Sequence, residues 1–490
     1  MKMNNFELFI TLILLFQLSI QRVQAMDGEP KSYKAVVVEY NRDILTSENI
    51  KKYQKYIENS GNEKSDIIIF PESTLTMTVN GSLVPSPEDK VTPYKNETYL
   101  IYEAVRAMSE AAAKSNVYVV VNLFERVECT NGTKDCPSRG YFLYNTNVAF
   151  DRKGTVVAKY RKYNIYNNKT DKPEKQLSTF TTDFGVTFGM MNSFDILFKA
   201  PSIELVREKK VTNLLFSAFW FGGLPFLTAS QVQAGWSYAM NVTLLASGAN
   251  NPTIGTTGSG LYLGRGKSYR AMREIDMSVM SLFTIHVKDL SDNLFSMSEF
   301  RDKHDALETH SRTLNLLSDP SIPLSTGKDL DTTSGNFDSE ICNGGLCCRF
   351  GAMYRNSTIP NTHGYKYKAI VYQGMRRFGE NNWHETAHCG IVLCIGENCA
   401  KKPPNDRYPL IFDEIKIEGR FKGKDTFQMP TTLVYKRDDV QYSLLDILDN
   451  DNFSFNSERV SGSDTANVFM KLLKKNVGNL VAFGIYGRIF

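Results

Sequence analysis

Gly185-Val-Thr-Phe-Gly-Met-Met-Asn-Ser-Phe-Asp-Ile-Leu-Phe198 is an apolar run interrupted by a few polar residues. Its start predicts a buried strand over 186–193, and Ser193 falls where the chain must turn sharply before Phe-Asp-Ile-Leu-Phe. A turn at a strand end can present a hydroxyl for nucleophilic chemistry. Ser193 is therefore the first candidate for a reacting side chain, and the strand behind it is the first clue to the fold.

Similar apolar runs lie on both sides. Strands are expected over 34–40, 66–70, 117–123, 146–150, 156–160 and 212–216. Between them, 97–115 has helical spacing, with Leu100, Ala104, Met108 and Ala112 on one face. A second helix is expected over 225–240, with Pro225 at its start. Strands alternating with helices argue for an α/β domain over 26–300. The stretch 301–340 is polar and rich in Ser, Thr, Asp and Pro, and reads as a linker or wrapping segment. From 341 to 490 the pattern changes to short β-prone runs, 369–372, 390–395 and 479–485, among six of the eight cysteines. That composition predicts a smaller β-rich domain stapled by disulfides.

The chain of 490 residues is long enough for two domains with large cores. Hydrophobic residues make up 42% and charged residues 22%, as in ordinary globular proteins. The net charge is only +4, and no Lys/Arg run suggests a nucleic-acid groove. Lys2, the apolar run 9–20 and Val23-Gln24-Ala25 read as a secretory signal peptide over residues 1–25. That run is too short for a comfortable membrane span, and no lipid-anchor signal follows at the other end. Sequons at Asn80, Asn96, Asn131, Asn168, Asn356 and Asn452 are expected to carry glycans. Asn241, set in an apolar stretch, is the expected exception. In an oxidising compartment eight cysteines read as four disulfides. The short polar loop between Cys129 and Cys136 makes those two a local pair. The connectivity of Cys342, Cys347, Cys348, Cys389, Cys394 and Cys399 stays open.

Two other strand ends carry polar groups. Ile67-Ile-Ile-Phe-Pro-Glu72 leaves a carboxylate at the edge of a buried strand, and Lys159-Tyr-Arg-Lys-Tyr-Asn164 ends a strand in cations. In open α/β sheets, sites form at such ends. Phe219 and Trp220 follow the next strand and are expected to line a pocket. His384-Glu-Thr-Ala-His388 matches the His-Glu-x-x-His pattern of zinc proteases, but the flanking Asn381-Asn382 and Cys389-Gly390 favour a strand over the required helix. No metal and no cofactor is expected. The glycine-rich piece 255–266 lacks the context of a phosphate loop and reads as turns.

Taken in this order, Glu72, Lys162 and Ser193 resemble the Glu-Lys-Cys triad of the nitrilase superfamily. Tyr160-Arg-Lys-Tyr-Asn-Ile-Tyr166, Tyr144-Asn-Thr-Asn, Phe-Asp-Ile-Leu-Phe198, Leu245-Ala-Ser, Thr257-Gly-Ser-Gly-Leu-Tyr262 and the closing Gly-Arg-Ile-Phe490 are similar to the vanin/biotinidase family of secreted amidohydrolases. The resemblance implies an αββα sandwich followed by the family's C-terminal β domain. It implies Glu72 as general base, Lys162 as the cation steadying the tetrahedral intermediate, and Ser193 in the place of the Cys nucleophile. It also implies small amide substrates, pantetheine or biotin amides such as biocytin.

That place matters. A thiol has a pKa of about 8.5 and a few per cent is thiolate at neutral pH. A hydroxyl is a far weaker acid, and serine hydrolases usually recruit a His to remove its proton. All six histidines lie between His286 and His388, and no cysteine falls between Cys136 and Cys342. Loss of a catalytic nucleophile costs on the order of a millionfold in turnover, about 8 kcal/mol of barrier. The expectation is an impaired or inactive hydrolase, or a pseudoenzyme that binds a ligand or protein.

Overall fold

The structure, a computed structural model, describes residues 32–490 apart from 77–80, 168, 275, 287–294, 302–313, 359–360, 362, 380–381, 405–407, 424 and 437–444. Strand β1 (Ser32–Glu39) shows how the layers arise. Tyr33, Ala35 and Val37 point into one core, and Val36, Val38 and Tyr40 point into another. A strand that is apolar on both faces must be covered on both. Helices α1 (Thr46–Asn62) and α2 (Glu103–Ser115) cover one face, and a second sheet covers the other.

The first sheet adds β2 (Ile67–Ile69), β3 (Tyr118–Glu128), β4 (Tyr141–Phe150) and β5 (Val156–Arg161). On the other edge of β1 lie β13 (Val279–His286) and β14 (Phe295–Arg301), giving the order β14-β13-β1-β2-β3-β4-β5. β1, β2 and β3 are mutually parallel, and the rest are antiparallel. The second sheet has the order β12-β11-β10-β8-β7-β6. Its members are β6 (Thr179–Thr181), β7 (Thr187–Asn192), β8 (Asn213–Ala218), β10 (Thr243–Gly248), β11 (Ser259–Leu263) and β12 (Ser268–Ala271). A short helix α3 (Glu204–Arg207) leads into β8, and β9 (Gly223–Leu224) follows it. Helix α4 (Ala229–Met240) covers the outer face and completes the αββα sandwich.

The C-terminal half is β-rich. One sheet runs β16-β19-β20-β26-β22-β23 and the other β17-β18-β21-β25-β24. The strands are β16 (Thr326–Asp329), β17 (Asn336–Asn343), β18 (Leu346–Asn356), β19 (Tyr365–Phe378), β20 (Asn382–Ile395), β21 (Leu410–Lys422), β22 (Thr426–Tyr435), β23 (Leu445–Asp446), β24 (Phe453–Arg459), β25 (Thr465–Leu472) and β26 (Leu480–Ile489). The disulfides are Cys129–Cys136, Cys342–Cys347, Cys348–Cys389 and Cys394–Cys399. Cys348 lies on β18 and Cys389 on β20, so that bridge joins the two sheets.

One apolar core runs without a break from α4 into both C-terminal sheets. Helix α4 lies so close to β22 that a Cβ on Gly235 would sit 2.3 Å from the Pro430 carbonyl oxygen. Beside it, Gln231 Nε2 donates to Thr431 Oγ1 at 2.9 Å, and Thr431 Oγ1 donates to the Phe226 carbonyl at 3.0 Å.

Several expectations change. The helix expected over 97–115 starts at Glu103, after a 3₁₀ turn at Glu97–Tyr99, and Leu100 is 60% exposed instead of packed. Helix α4 does not begin at Pro225: Thr228 is its N-cap, paired with Gln231 in a capping box, which satisfies the first orphan N–H groups. Helix α1 was not anticipated, because Lys, Asn, Gly and Ser blur its apolar stripe. The 301–340 stretch includes β16, the start of β17, and β15 (Leu317–Ser318), which pairs in parallel with β9. It also supplies Asp319, buried against Arg376 of β19. Asn241 is exposed at the C-cap of α4, with φ 53°, so its apolar neighbours do not bury it. Asn131 and Asn356 are also exposed, and Asn96 and Asn452 half-buried. Asn80, Asn168 and the 1–25 leader lie outside the described residues.

Candidate active site

Glu72 follows β2 by way of Phe70 and Pro71. Phe70 is locked by ring stacking on Tyr53, centroids 3.9 Å apart, and its carbonyl accepts the Ser217 hydroxyl of the second sheet at 2.8 Å. The carboxylate is thereby fixed where both sheets meet, and it is buried.

Lys162 follows β5, and the strand's period of two sorts its neighbours. Lys159 and Arg161 point to one side and pair with Glu125 at 2.9 and 2.7 Å. Burial pushes the Glu125 carboxyl up, but the Arg161 hydrogen bond and the Lys159 charge outweigh it and hold the group below the usual range. Tyr160 and Lys162 point to the other side. Lys162 Nζ donates to Glu72 Oε1 at 2.6 Å, and both groups are buried.

Asn145 of β4 also donates to Glu72 Oε1, through Nδ2, at 2.7 Å. Its Oδ1 accepts Asn122 Nδ2 at 2.6 Å and Asn192 Nδ2 at 3.3 Å. Asn122 Oδ1 in turn accepts the Ser73 backbone N–H at 2.8 Å. The asparagines thus close a ring around Glu72 and tie it to the residue before Ser193. Oε1 is fully occupied, and Oε2 accepts no hydrogen bond from the described residues. An anchored carboxylate with one free oxygen is what a general base requires.

Ser193 begins the 3₁₀ turn Ser193–Leu197 after β7. It is 3% exposed and has φ 34°, a left-handed backbone that a non-glycine residue adopts only where the surroundings enforce it. Its Oγ accepts the Phe219 backbone N–H at 2.7 Å. Asp195 enforces the turn. Its Oδ2 accepts the Tyr160 hydroxyl at 2.8 Å and the Asn192 N–H at 3.0 Å; its Oδ1 accepts Asn164 N at 3.0 Å and Asn164 Nδ2 at 2.8 Å. One carboxylate therefore ties the Ser193 turn to both sides of Lys162. Burial raises its pKa to about 6, against the lowering by the Lys162 charge and these donors.

The structure pairs Glu72 with Lys162 directly and links them to the Ser193 turn through Asn192 and Asp195, while the Ser193 side chain itself bonds the Phe219 N–H. Phe219 contributes its main-chain N–H, while its ring meets Phe221 at 5.5 Å and lies under the Arg42 guanidinium. Phe221 stacks on Tyr166, and Tyr166 meets Phe194 at 5.3 Å. Trp220 differs from its expected role: its ring belongs to the core, and Nε1 donates to the Leu227 carbonyl at 2.9 Å. Asn145, Asn192, Asp195, Tyr160 and Asn164 were missed by sequence reasoning. The available signals were Asp195 inside an apolar run and the alternation of β5.

The C-terminal half reaches this site. Asn382 Nδ2 donates to the carbonyls of Ile165 and Tyr166 at 3.1 and 2.9 Å. His384 comes close too, yet its ring packs edge-on against Phe198 at 4.8 Å and does not hydrogen-bond Ser193. His384 and His388 lie on strand β20, not on a helix. Among the described residues, no group of three or more His, Cys, Asp or Glu is arranged to hold a metal ion. No helix among them is long and apolar enough to cross a membrane.

Sequence comparison identifies the class. The family model for the carbon-nitrogen hydrolase domain matches residues 35–232, and that for the vanin C-terminal domain matches 314–490. Vanin-like protein 2 of Drosophila melanogaster is 34% identical over 94% of this chain and 89% of that protein. Pantetheine hydrolase VNN2 of Homo sapiens is 33% identical over 50% of each chain. Biotinidase of Rattus norvegicus is 33% identical over 48% of this chain and 50% of that protein. Among solved structures, an amidase from Nesterenkonia sp. covers 54% of this chain and 94% of its own, at 12% identity and a TM-score of 0.40. The chain belongs to the vanin-like family of carbon-nitrogen hydrolases.

Proposed function

We propose that this protein is a secreted, glycosylated vanin-type carbon-nitrogen hydrolase in which Ser193 occupies the place of the nucleophilic cysteine. On this reading, its hydrolysis of linear amides of the pantetheine or biotin-amide class is strongly impaired or lost. Glu72 is the general base, Lys162 steadies the oxyanion, and Ser193 faces the substrate carbonyl.

The observation that carries the proposal is the chemistry around Ser193 Oγ. Its one hydrogen bond among the described residues is with the Phe219 N–H, a donor that cannot take its proton. No imidazole among the described residues is bonded to it, and a carboxylate is a weak base for a hydroxyl. No displaced thiol can substitute, since all eight cysteines are in disulfides. The sequons and disulfides support secretion; a mass shift on removal of N-glycans from the exported protein tests it.

The decisive experiment compares the native chain with Ser193→Cys on pantetheine and on biocytin-type amides. Turnover in the variant alone, at least about a thousandfold above the native chain, is the expected result. Native turnover equal to that of the variant would sink the proposal. Turnover in neither, with the ligand still bound, favours the pseudoenzyme reading.

A further inference from the structure

Away from the Ser193 network, a cleft of about 180 Å³ opens on the seam between the two halves. Its walls come from the end of α3 and α4 on one side and from β22, β24 and β25 on the other. Three arginines line it, Arg207, Arg265 and Arg459, and no carboxylate does. Arg207 and Arg265 form no ion pair with any described residue, and the Arg265 guanidinium lies over the Tyr238 ring at 5.8 Å. The carboxylates next in sequence to the lining residues, Glu208, Asp425 and Glu458, are not part of the wall; Asp425 pairs with Lys199, and Glu458 accepts Asn456 Nδ2.

Gln428 lines the same cleft, is only 5% exposed, and has an Nε2 with no hydrogen-bond partner. The Ser457 hydroxyl donates to its Oε1 at 3.0 Å, which orients the amide with its NH₂ group unspent. A buried donor left unpaired costs about 1–3 kcal/mol, so such a group calls for an explanation. An acceptor supplied from outside provides one. Guanidinium forks match the oxygens of phosphate and sulfate, and positive charge without a counter-charge favours an anion. Size narrows the choice: pockets for drug-sized ligands are roughly 300–1,000 Å³, so this cleft suits a single small group.

We propose that the cleft between Arg207, Arg265 and Gln428 binds a tetrahedral oxyanion, a phosphate or sulfate group, either as the free ion or as the sulfate ester of an extracellular sugar. The arginines are exposed, so the interaction is screened and weakens as salt rises. The site is independent of the chemistry at Ser193, and its failure would leave the hydrolase reading untouched.

Calorimetric titration of the full native chain tests it with three probes: inorganic phosphate, inorganic sulfate and a sulfated disaccharide. The expected result is saturable one-to-one binding by at least one probe. Affinity falls at least tenfold in Arg207→Ala/Arg265→Ala and also falls in Gln428→Leu. Disaccharide binding ten times tighter than inorganic sulfate identifies the ester as the ligand; equal binding identifies the free ion. Absence of saturable binding by all three probes overturns the proposal, as does unchanged affinity in the double arginine variant. Both arginines are on the surface, so an unchanged melting temperature of the double variant is the folding control.

Discussion

Asp195 is the residue on which the shape of the site depends. All four of its hydrogen bonds are accepted from N–H or O–H donors, so an amide in its place would turn a donor toward two of them. In the Ser193→Cys background, Asp195→Asn is expected to lower kcat about 10–100-fold with little change in KM, because misplacement of a reacting group by about 1 Å costs on that order. A carboxyl with pKa near 6 also predicts an acid limb: Ser193→Cys activity declines as pH falls through about 6, and the double variant lacks that decline. Kinetics from pH 5 to 8 measure both. Identical pH profiles for the two variants would show that Asp195 serves the fold alone.

Among the elements, α4 decides how the halves join. Alanine is favoured over glycine in a helix by about 1 kcal/mol. At Gly235 the added methyl would press on the Pro430 carbonyl, and overpacking costs about 1–3 kcal/mol or more. The clash wins, so Gly235→Ala is expected to lower the urea midpoint; a raised midpoint would show that the helix and β22 separate easily. The strands were legible before the structure was known because apolar runs ended in Pro, Gly or charge, as at Ile67-Ile-Ile-Phe-Pro-Glu72. Glu72, Lys162 and Ser193 stand out in the sequence only as polar groups at strand ends, and it is their order that resembles the Glu-Lys-Cys triad of the nitrilase superfamily. Helix α1 was not, since its buried Asn49, Tyr53, Tyr56 and Ser60 are polar or amphipathic types that hide the helical period. The asparagine ring was equally hidden, because Asn122 and Asn145 lie far apart in sequence and only strand pairing makes them neighbours.

For the whole molecule, acid stability depends on buried titratable groups both at the site and away from it. Burial in the seam lowers the His388 pKa from its usual 6.5 to about 4. Below pH 6.5 the unfolded chain takes up a proton that the folded chain refuses until about pH 4, so stability is lost across that window. A shift of this size corresponds to roughly 3 kcal/mol. Asp195 acts in the opposite direction: its raised pKa makes the fold relatively more stable as pH falls from about 6 towards 3.8. His384, also lowered to about 4 by burial, adds to the loss. Urea melts at pH 7 and 4.5 should show the native chain losing about 2–3 kcal/mol more than His388→Gln; equal losses would place the ring's titration outside the folded core.

The continuous core also sets a schedule for synthesis. Gln231 on α4 and its partner Thr431 on β22 are 200 residues apart. At roughly 5–20 residues per second, the ribosome needs about 10–40 s to deliver the second after the first. For that interval the face of α4 that packs on β22, with Gln231 and Gly235, waits uncovered until the last strands emerge.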